Sequence, residues 1–194
     1  MSARLVTGAL AALALVTAPA ASSIAQEKKA DKPAGAMAAP KPPAEMSNLA
    51  FFGGNWTCSG EGAMEPGGPM MKMTSTVTSS SDLGGFWQSG TVKGTTAGMP
   101  PFQGMFHMTY DPGAKEYLML WVDNMGGWSQ MRSSGWQDDK MVFTGDTLMG
   151  GRKMSARDTF TKGAGGSMVH LGEMQTGGSY TKMVEETCRK RASR

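Results

Sequence analysis

Histidine and cysteine offer the widest scope for chemistry in this sequence, and there are only two residues of each type. His107 lies in the segment MFHM and His170 lies close to the C-terminus. Hydrolytic and zinc enzymes need motifs that supply a nucleophile, a base or several ligands together. The sequence contains no G-x-S-x-G, no histidine-rich metal motif and no phosphate-binding glycine loop. We therefore expect neither an enzyme nor a bound cofactor.

Methionine is strongly over-represented, with 19 residues in a chain of 194. Unbranched thioethers adapt to irregular cores and irregular ligands alike, so these residues are expected to fill a core or line a pocket. The alternative is a Cu(I) site that uses thioether and imidazole ligands. Because adjacent residues of a strand point to opposite faces, strand geometry disfavours a compact copper cluster. The candidate copper segments are PMMKM (Met70, Met71, Met73) and MFHM (Met105, His107, Met108).

The N-terminus has the pattern of a secretory signal peptide, with an apolar run from Leu5 to Ala18 and small residues before position 26. Residues 1–25 are predicted to be cleaved. Residues 26–47, rich in proline, alanine and lysine, are predicted to be a disordered leader. Residues 48–194 are predicted to form one domain. The apolar run is too short to span a bilayer, so we expect a periplasmic or secreted protein without stable membrane insertion.

The charge of the predicted domain is nearly balanced, with 14 Lys+Arg and 13 Asp+Glu from Asn48 onward. Nucleic-acid binding requires a basic patch or stripe, so this composition disfavours nucleic acid as a partner.

Short runs of apolar and hydroxyl residues recur after Gly54, separated by nine glycine-rich breaks. Ten strand candidates follow, and the short breaks favour antiparallel hairpins. A ten-stranded meander leaves two bare edges unless it closes into a barrel. The fold prediction is therefore all-β, an antiparallel up-and-down barrel of about ten strands. The segment Ala44–Gly54 has the spacing of a short helical segment.

The two cysteines, Cys58 and Cys188, fall in the first and last strand candidates. An even count in an exported protein suggests a disulfide, and closure of the barrel would make these two strands neighbours. Two free thiols are the alternative.

One hairpin is predicted in detail. Phe102, Phe106, Met108 and Tyr110 alternate along a strand, and Asp111-Pro112-Gly113 supplies the turn, with glycine expected at the position of positive φ. The return strand, Tyr117 to Val122, is apolar on both faces.

The segments GGNW, DLGGFWQ, GMPPFQGMFHMTYDPGAKEYLMLWVDNMGG, HLGEM and the terminal CRK together resemble the DUF1579 family of uncharacterised bacterial proteins. More distantly they resemble lipocalin-like, or calycin, barrels. The resemblance implies a calycin-like barrel closed by the short N-terminal segment, and it brings no established activity. It also implies that Trp56 lies at the closed end beneath an arginine of the last strand, Arg189. A late histidine, His170, could ligate haem by analogy with ten-stranded haem-binding barrels, with His107 as the other weak metal candidate.

The barrel interior is the remaining candidate site. If Phe106, Met108, Tyr117 and Trp121 face inward, they form the apolar wall of a small-molecule pocket. Arg132 or Arg157, if inward, could anchor a ligand carboxylate. We therefore expect non-enzymatic binding of a small apolar or amphipathic molecule. The alternative is a filled barrel that acts as a structural or interaction module of the cell envelope.

Overall fold

The computed structural model describes residues 38–191, so the predicted signal peptide and residues 26–37 of the predicted leader lie outside the described residues. None of the helices it describes combines the length and apolarity needed to cross a membrane. The chain forms an N-terminal 3₁₀ helix (Ala44–Phe52) and two 3₁₀ turns (Leu83–Gly85, Ala164–Gly166). The strands are β1 (Gly54–Gly62), β2 (Met71–Asp82), β3 (Trp87–Thr96), β4 (Phe102–Asp111), β5 (Glu116–Asp123), β6 (Trp128–Ser133), β7 (Trp136–Gln137), β8 (Lys140–Met149), β9 (Arg152–Lys162), β10 (Met168–Thr176) and β11 (Ser179–Lys190).

Ten of these strands form a closed antiparallel barrel in which each strand pairs with its neighbours along the chain. The two-residue β7 pairs only with β8, and β6 pairs directly with β8. β1 pairs with β11, which closes the barrel. The predicted up-and-down barrel of about ten strands is confirmed. Because the wall is closed, neither end strand leaves an unpaired edge.

The closing seam carries the predicted disulfide. Cys58 and Cys188 are direct cross-strand partners with Cα atoms 3.9 Å apart, and their sulfurs are bonded. Both side chains are fully buried. The disulfide prediction is confirmed, and the free-thiol alternative is wrong.

The N-terminal helix closes one end of the barrel, because its apolar residues Leu49 and Phe52 are buried against the strands. The Trp136 indole donates to the Asn48 carbonyl at 2.9 Å, and the Asn48 amide donates to the Tyr117 hydroxyl at 2.7 Å. The helix begins at Ala44, so the last four residues of the predicted leader are helical rather than disordered. The spacing of Ala44–Gly54 predicted this helical segment, so only the boundary of the predicted leader, residue 47, is wrong.

The β4–β5 hairpin forms at the predicted place with different turn geometry. The Asp111 carboxylate accepts hydrogen bonds from the backbone N–H groups of Gly113 and Ala114. The residue of positive φ is Lys115, at 57°, rather than Gly113. The predicted return strand began at Tyr117, and β5 begins one residue earlier, at Glu116.

Two glycines of the inner wall are covered by aromatic rings from the neighbouring strand. A Cβ on Gly90 would collide with the Phe106 ring, and one on Gly104 would collide with Trp121. The rings therefore lie along the wall, in the space that a side chain at each glycine would occupy, rather than extending across the interior.

Candidate ligand site inside the barrel

The end of the barrel beside the helix is filled. Trp56, Met141 and Leu49 are at most 1% exposed. Methionines account for much of the packing, as expected for adaptable core residues. The buried methionines of the core cluster are Met108, Met119, Met131, Met141 and Met168; Met183 is also buried but lies outside that cluster.

Farther from the helix, four polar side chains of the inner wall meet in one cluster, which we call the His170 cluster: Ser75, Asp158, His170 and Glu186. His170 Nε2 lies 3.1 Å from Asp158 Oδ1, and its Nδ1 lies 3.4 Å from Glu186 Oε1. The Ser75 hydroxyl donates to the other Glu186 oxygen at 3.1 Å. Because a carboxylate oxygen faces each ring nitrogen, the arrangement favours a proton on both nitrogens, that is, the cationic imidazole.

The strand register explains how the cluster assembles. His170 faces Glu186 on one side and Phe160 on the other as cross-strand partner. The Phe160 ring stacks on the imidazole, with centroids 4.7 Å apart. Gly172 lies opposite Asp158. A Cβ on Gly172 would come within 2.9 Å of Asp158 Oδ1, so the glycine leaves room for this carboxylate to reach His170.

The electrostatics of the cluster follow from this geometry. Burial by itself would lower the pKa of His170, but the hydrogen bonds to Asp158 and Glu186 and their negative charges outweigh it and raise the pKa to about 10. Burial opposes ionisation of Glu186 as well. The hydrogen bond and charge of His170, with the hydrogen bond from Ser75, nevertheless lower the pKa of Glu186 below its ordinary value.

The four predicted wall residues all lie on the inner face. Phe106, Met108 and Tyr117 are at most 8% exposed, and Trp121 is partly buried. Met108 and Tyr117 belong to the filled end, where Tyr117 bonds to the helix. Phe106 and Trp121 are cross-strand partners, and Trp121 stacks on Phe102. Phe102 pairs with Gly94, whose other cross-strand partner is Ser75 of the His170 cluster.

The two predicted anchor arginines lie on the outer surface, which corrects the expectation that one could point inside. Arg132 has the opposite strand parity to buried Met131 and pairs with Asp111 at 3.3 Å. Arg157 pairs with Glu173 at 2.7 Å and lies over the Tyr180 ring. Neither strand position could be assigned to a face before the register was known.

Trp56 lies at the closed end as expected, but the cation over its ring is Lys190, with Nζ 4.9 Å from the centroid. The predicted residue, Arg189, pairs with Thr57 and is exposed. The prediction fails by one residue because a one-residue shift in register moves a side chain to the opposite face.

The histidines do not form a common metal site. His107 lies on the outer face, where its Nδ1 is 2.9 Å from the Ser89 hydroxyl. His170 is inside, and its two nitrogens are both engaged by carboxylates, which disfavours haem ligation. Met105 is 46% exposed and Met108 is 2% exposed, so the MFHM thioethers lie on opposite faces and cannot share one copper ion.

Within the described residues, only one group has metal-ligand spacing: Cys58, Cys188 and Glu186. The two sulfurs are bonded to each other and are not thiolates, so the set cannot act as a metal site in this state.

Sequence reasoning missed Asp158, Glu186 and Ser75. Glu185 and Glu186 are adjacent in β11 and therefore point to opposite faces: Glu186 lies inside, and Lys182 donates to Glu185 on the outside. The available signal was that Glu186 lies two residues before Cys188, and therefore on the same inward face.

A separate hollow of about 360 Å³ lies at the ends of β2 and β3 away from the helix, lined by Lys72, Met73, Thr74, Thr95, Thr96 and Ala97. It is open to solvent.

Comparisons with known proteins agree with the fold. The structure is similar to the crystal structure of Rv2717c from M. tuberculosis, with a TM-score of 0.60 and 11% identity over 78% of this chain and 100% of that one. At this identity the likeness concerns the fold alone. No curated protein matches the sequence. The family described as "Protein of unknown function (DUF1579)" matches residues 41–190. The chain belongs to the DUF1579 family.

Proposed function

We propose that the protein binds a small apolar or amphipathic molecule inside the barrel, in the half that contains the His170 cluster. One observation carries the proposal: side chains that face the interior there keep water-accessible surface. The side chains of His170 and Asp158 are 18% and 20% exposed. In the filled half, Met141 and Trp56 are 0% and 1% exposed. Water that reaches inward side chains occupies space that a ligand can take.

The lining of this half supports the same function. Small-molecule sites combine apolar and aromatic walls with a few convergent polar groups. The His170 cluster supplies the polar groups. Of the partly buried apolar residues that pack against the core, Phe160 stacks on His170 and Trp121 stacks on Phe102. Val92 and Met174 are further members of this set with inward strand parity.

The test is binding of the neutral fluorophore N-phenyl-1-naphthylamine, whose emission rises in apolar surroundings. A Val92→Trp variant adds bulk inside the barrel, and Thr91→Trp adds the same bulk on the exposed face of the same strand. We expect the wild type and Thr91→Trp to bind the probe, and Val92→Trp to lose binding while it keeps a cooperative melt. An absence of binding by the wild type, or equal binding by a folded Val92→Trp protein, overturns the proposal.

We also propose that the protein is exported. The predicted signal peptide at residues 1–25 motivates the proposal. The disulfide is compatible with it, since disulfides persist in oxidising compartments. Fractionation of producing cells should place the protein outside the cytoplasm with an N-terminus at Gln26. Recovery of the uncleaved chain from the cytoplasm contradicts it.

A second candidate function is contact with an envelope partner through the outer surface. Met105, Val122 and Trp128 are neighbours across β4, β5 and β6 and are 46%, 50% and 37% exposed. Contiguous exposed apolar surface is typical of interaction sites. Photo-crosslinking from Val122 in producing cells should give a discrete adduct that the same probe at Thr91 does not. Identical patterns from both positions count against it.

A further inference from the structure

We infer that the ligand of the barrel interior carries a positively charged, hydrogen-bond-donating head group, so that its class is a small amphipathic amine rather than a carboxylate. This inference rests on the proposed function and names the ligand class for the same site. Inward arginines would have favoured a ligand with a negatively charged head group, and the inference assigns the opposite charge.

The His170 cluster carries a net negative charge. The His170 cluster contains two carboxylates, Asp158 and Glu186, and a single cation, His170, so its formal charge is −1. The two ring nitrogens each face one of these carboxylates. One cation therefore cannot neutralise both, and the remaining negative charge lies on the inner wall.

The other cations of β9 and β11 do not neutralise this charge. Arg157 on β9 and Lys182 on β11 belong to the two strands that carry the carboxylates. Both lie on the outer surface, where Arg157 pairs with Glu173 and Lys182 pairs with Glu61 and Glu185. Lys162 on β9 and Lys190 on β11 have the inward strand parity, but their ammonium groups lie over the Trp136 and Trp56 rings at the closed end, 4.0 and 4.9 Å from the ring centroids. Among the ion pairs of the described residues, none joins any of these four cations to Asp158 or Glu186.

The carboxylates of the cluster need hydrogen-bond donors. Asp158 uses Oδ1 for His170, and its side chain keeps accessible surface. An ionised carboxylate accepts hydrogen bonds and donates none. A protonated amine offers three donors, whereas a carboxylate ligand offers only acceptors and would have to lose water next to two negative charges, which is costly.

Aromatic rings surround the cluster and suit a cationic, amphipathic ligand. Phe160 stacks on His170, and Phe102 stacks on Trp121 with centroids 6.0 Å apart. Aromatic faces attract cations and accept alkyl chains, so the wall suits both parts of an amphipathic amine.

The experiment compares decylamine, decanol and decanoate, which share one tail, as competitors of N-phenyl-1-naphthylamine at pH 7.5. We expect decylamine to displace the probe at a concentration about tenfold below that of decanoate, with decanol between them. Asp158→Asn removes one inner charge and should reduce this preference about tenfold. Glu173→Gln removes the same charge from the outer surface and should leave the preference unchanged.

The outcomes separate the two proposals. Failure of the probe to bind the wild type overturns the proposed function. If the probe binds and decanoate displaces it at the same or a lower concentration than decylamine, the inference is overturned and the proposed function stands. The same conclusion follows if Glu173→Gln loses the preference for decylamine as much as Asp158→Asn does. If Asp158→Asn does not fold, Glu186→Gln is the second variant, and a retained preference in that folded protein overturns the inference.

Discussion

His170 and Glu186 face each other across β10 and β11 inside the barrel, with Nδ1 3.4 Å from Oε1, and Asp158 faces the other side of the same ring. An ion cluster enclosed by a protein is sensitive to the loss of any member, because the remaining charges stay desolvated and unpaired. Both the stability of this fold and its response to pH should therefore depend on His170.

Replacement of His170 by Gln removes the cation between the two carboxylates. We expect a loss of about 3 kcal/mol in the free energy of unfolding at pH 7, measured by urea titration. His107→Gln is the matched control, since it removes a histidine from the outer face and should change stability by less than about 0.5 kcal/mol. Equal effects of the two variants would show that the cluster contributes nothing specific.

The stability of the wild type should fall as pH rises from neutral to alkaline. The pKa of His170 is about 10 in the folded protein, above the ordinary value of 6.5. A pKa that is higher in the folded than in the unfolded protein stabilises the folded state. This contribution is complete below pH 6.5 and is lost as pH rises through about 10. Urea titrations between pH 6 and pH 10 should show the decline in wild type and a smaller one in His170→Gln. Parallel curves for the two proteins contradict the protonated state of His170.

The lowered pKa of Glu186 makes the stability depend on pH in the acid range, and there the stability rises with pH instead of falling. Its stabilisation is present above the ordinary carboxyl pKa and is lost as pH falls.

Removal of the disulfide by Cys58→Ser should lower the melting temperature. The bond closes a loop with a sequence separation of 130 residues, for which the chain-entropy model gives about 5 kcal/mol as an upper figure. Calorimetry under oxidising conditions measures the shift. Wild type that is fully reduced in denaturant and refolded with reductant should melt near the variant, and an unchanged melt of Cys58→Ser contradicts the prediction.

Lys190→Gln should destabilise the closed end by about 1 kcal/mol, because its ammonium lies 4.9 Å from the Trp56 centroid. Arg189→Gln removes the same charge from the preceding residue, which pairs with Thr57 and lies on the opposite face, and should change the free energy of unfolding by less than about 0.5 kcal/mol. A larger effect at Arg189 than at Lys190 would restore the original assignment.

Gly104→Ala should cost about 1 to 3 kcal/mol, because its Cβ would collide with the Trp121 ring and force the ring off the wall. Gly113→Ala is the control in an exposed turn, where the only atom within 4 Å of the new Cβ is Asp111 Oδ1, at 3.3 Å. Thermal melts of both variants decide the comparison, and similar shifts would contradict the close contact of Trp121.

The sequence by itself determined the architecture. Nine glycine-rich breaks, period-two alternation and short turns require antiparallel hairpins, and a ten-stranded meander avoids bare edges only by closure. The pairing of Cys58 with Cys188 followed from that closure, since a barrel brings its first and last strands together. Alternation placed Phe106 and Met108 on one face of their strand and Tyr117 and Trp121 on one face of the next, but it did not decide which face lines the interior.

Only the tertiary structure decided which charged residues share the interior. Each strand has two faces, and a one-residue shift exchanges them, so Lys190 rather than Arg189 covers Trp56, and Arg132 and Arg157 lie outside. The His170 cluster joins β2, β9, β10 and β11, strands separated by more than 100 residues at the extreme. Its residues carry no common motif, because their proximity depends on barrel closure and on register together.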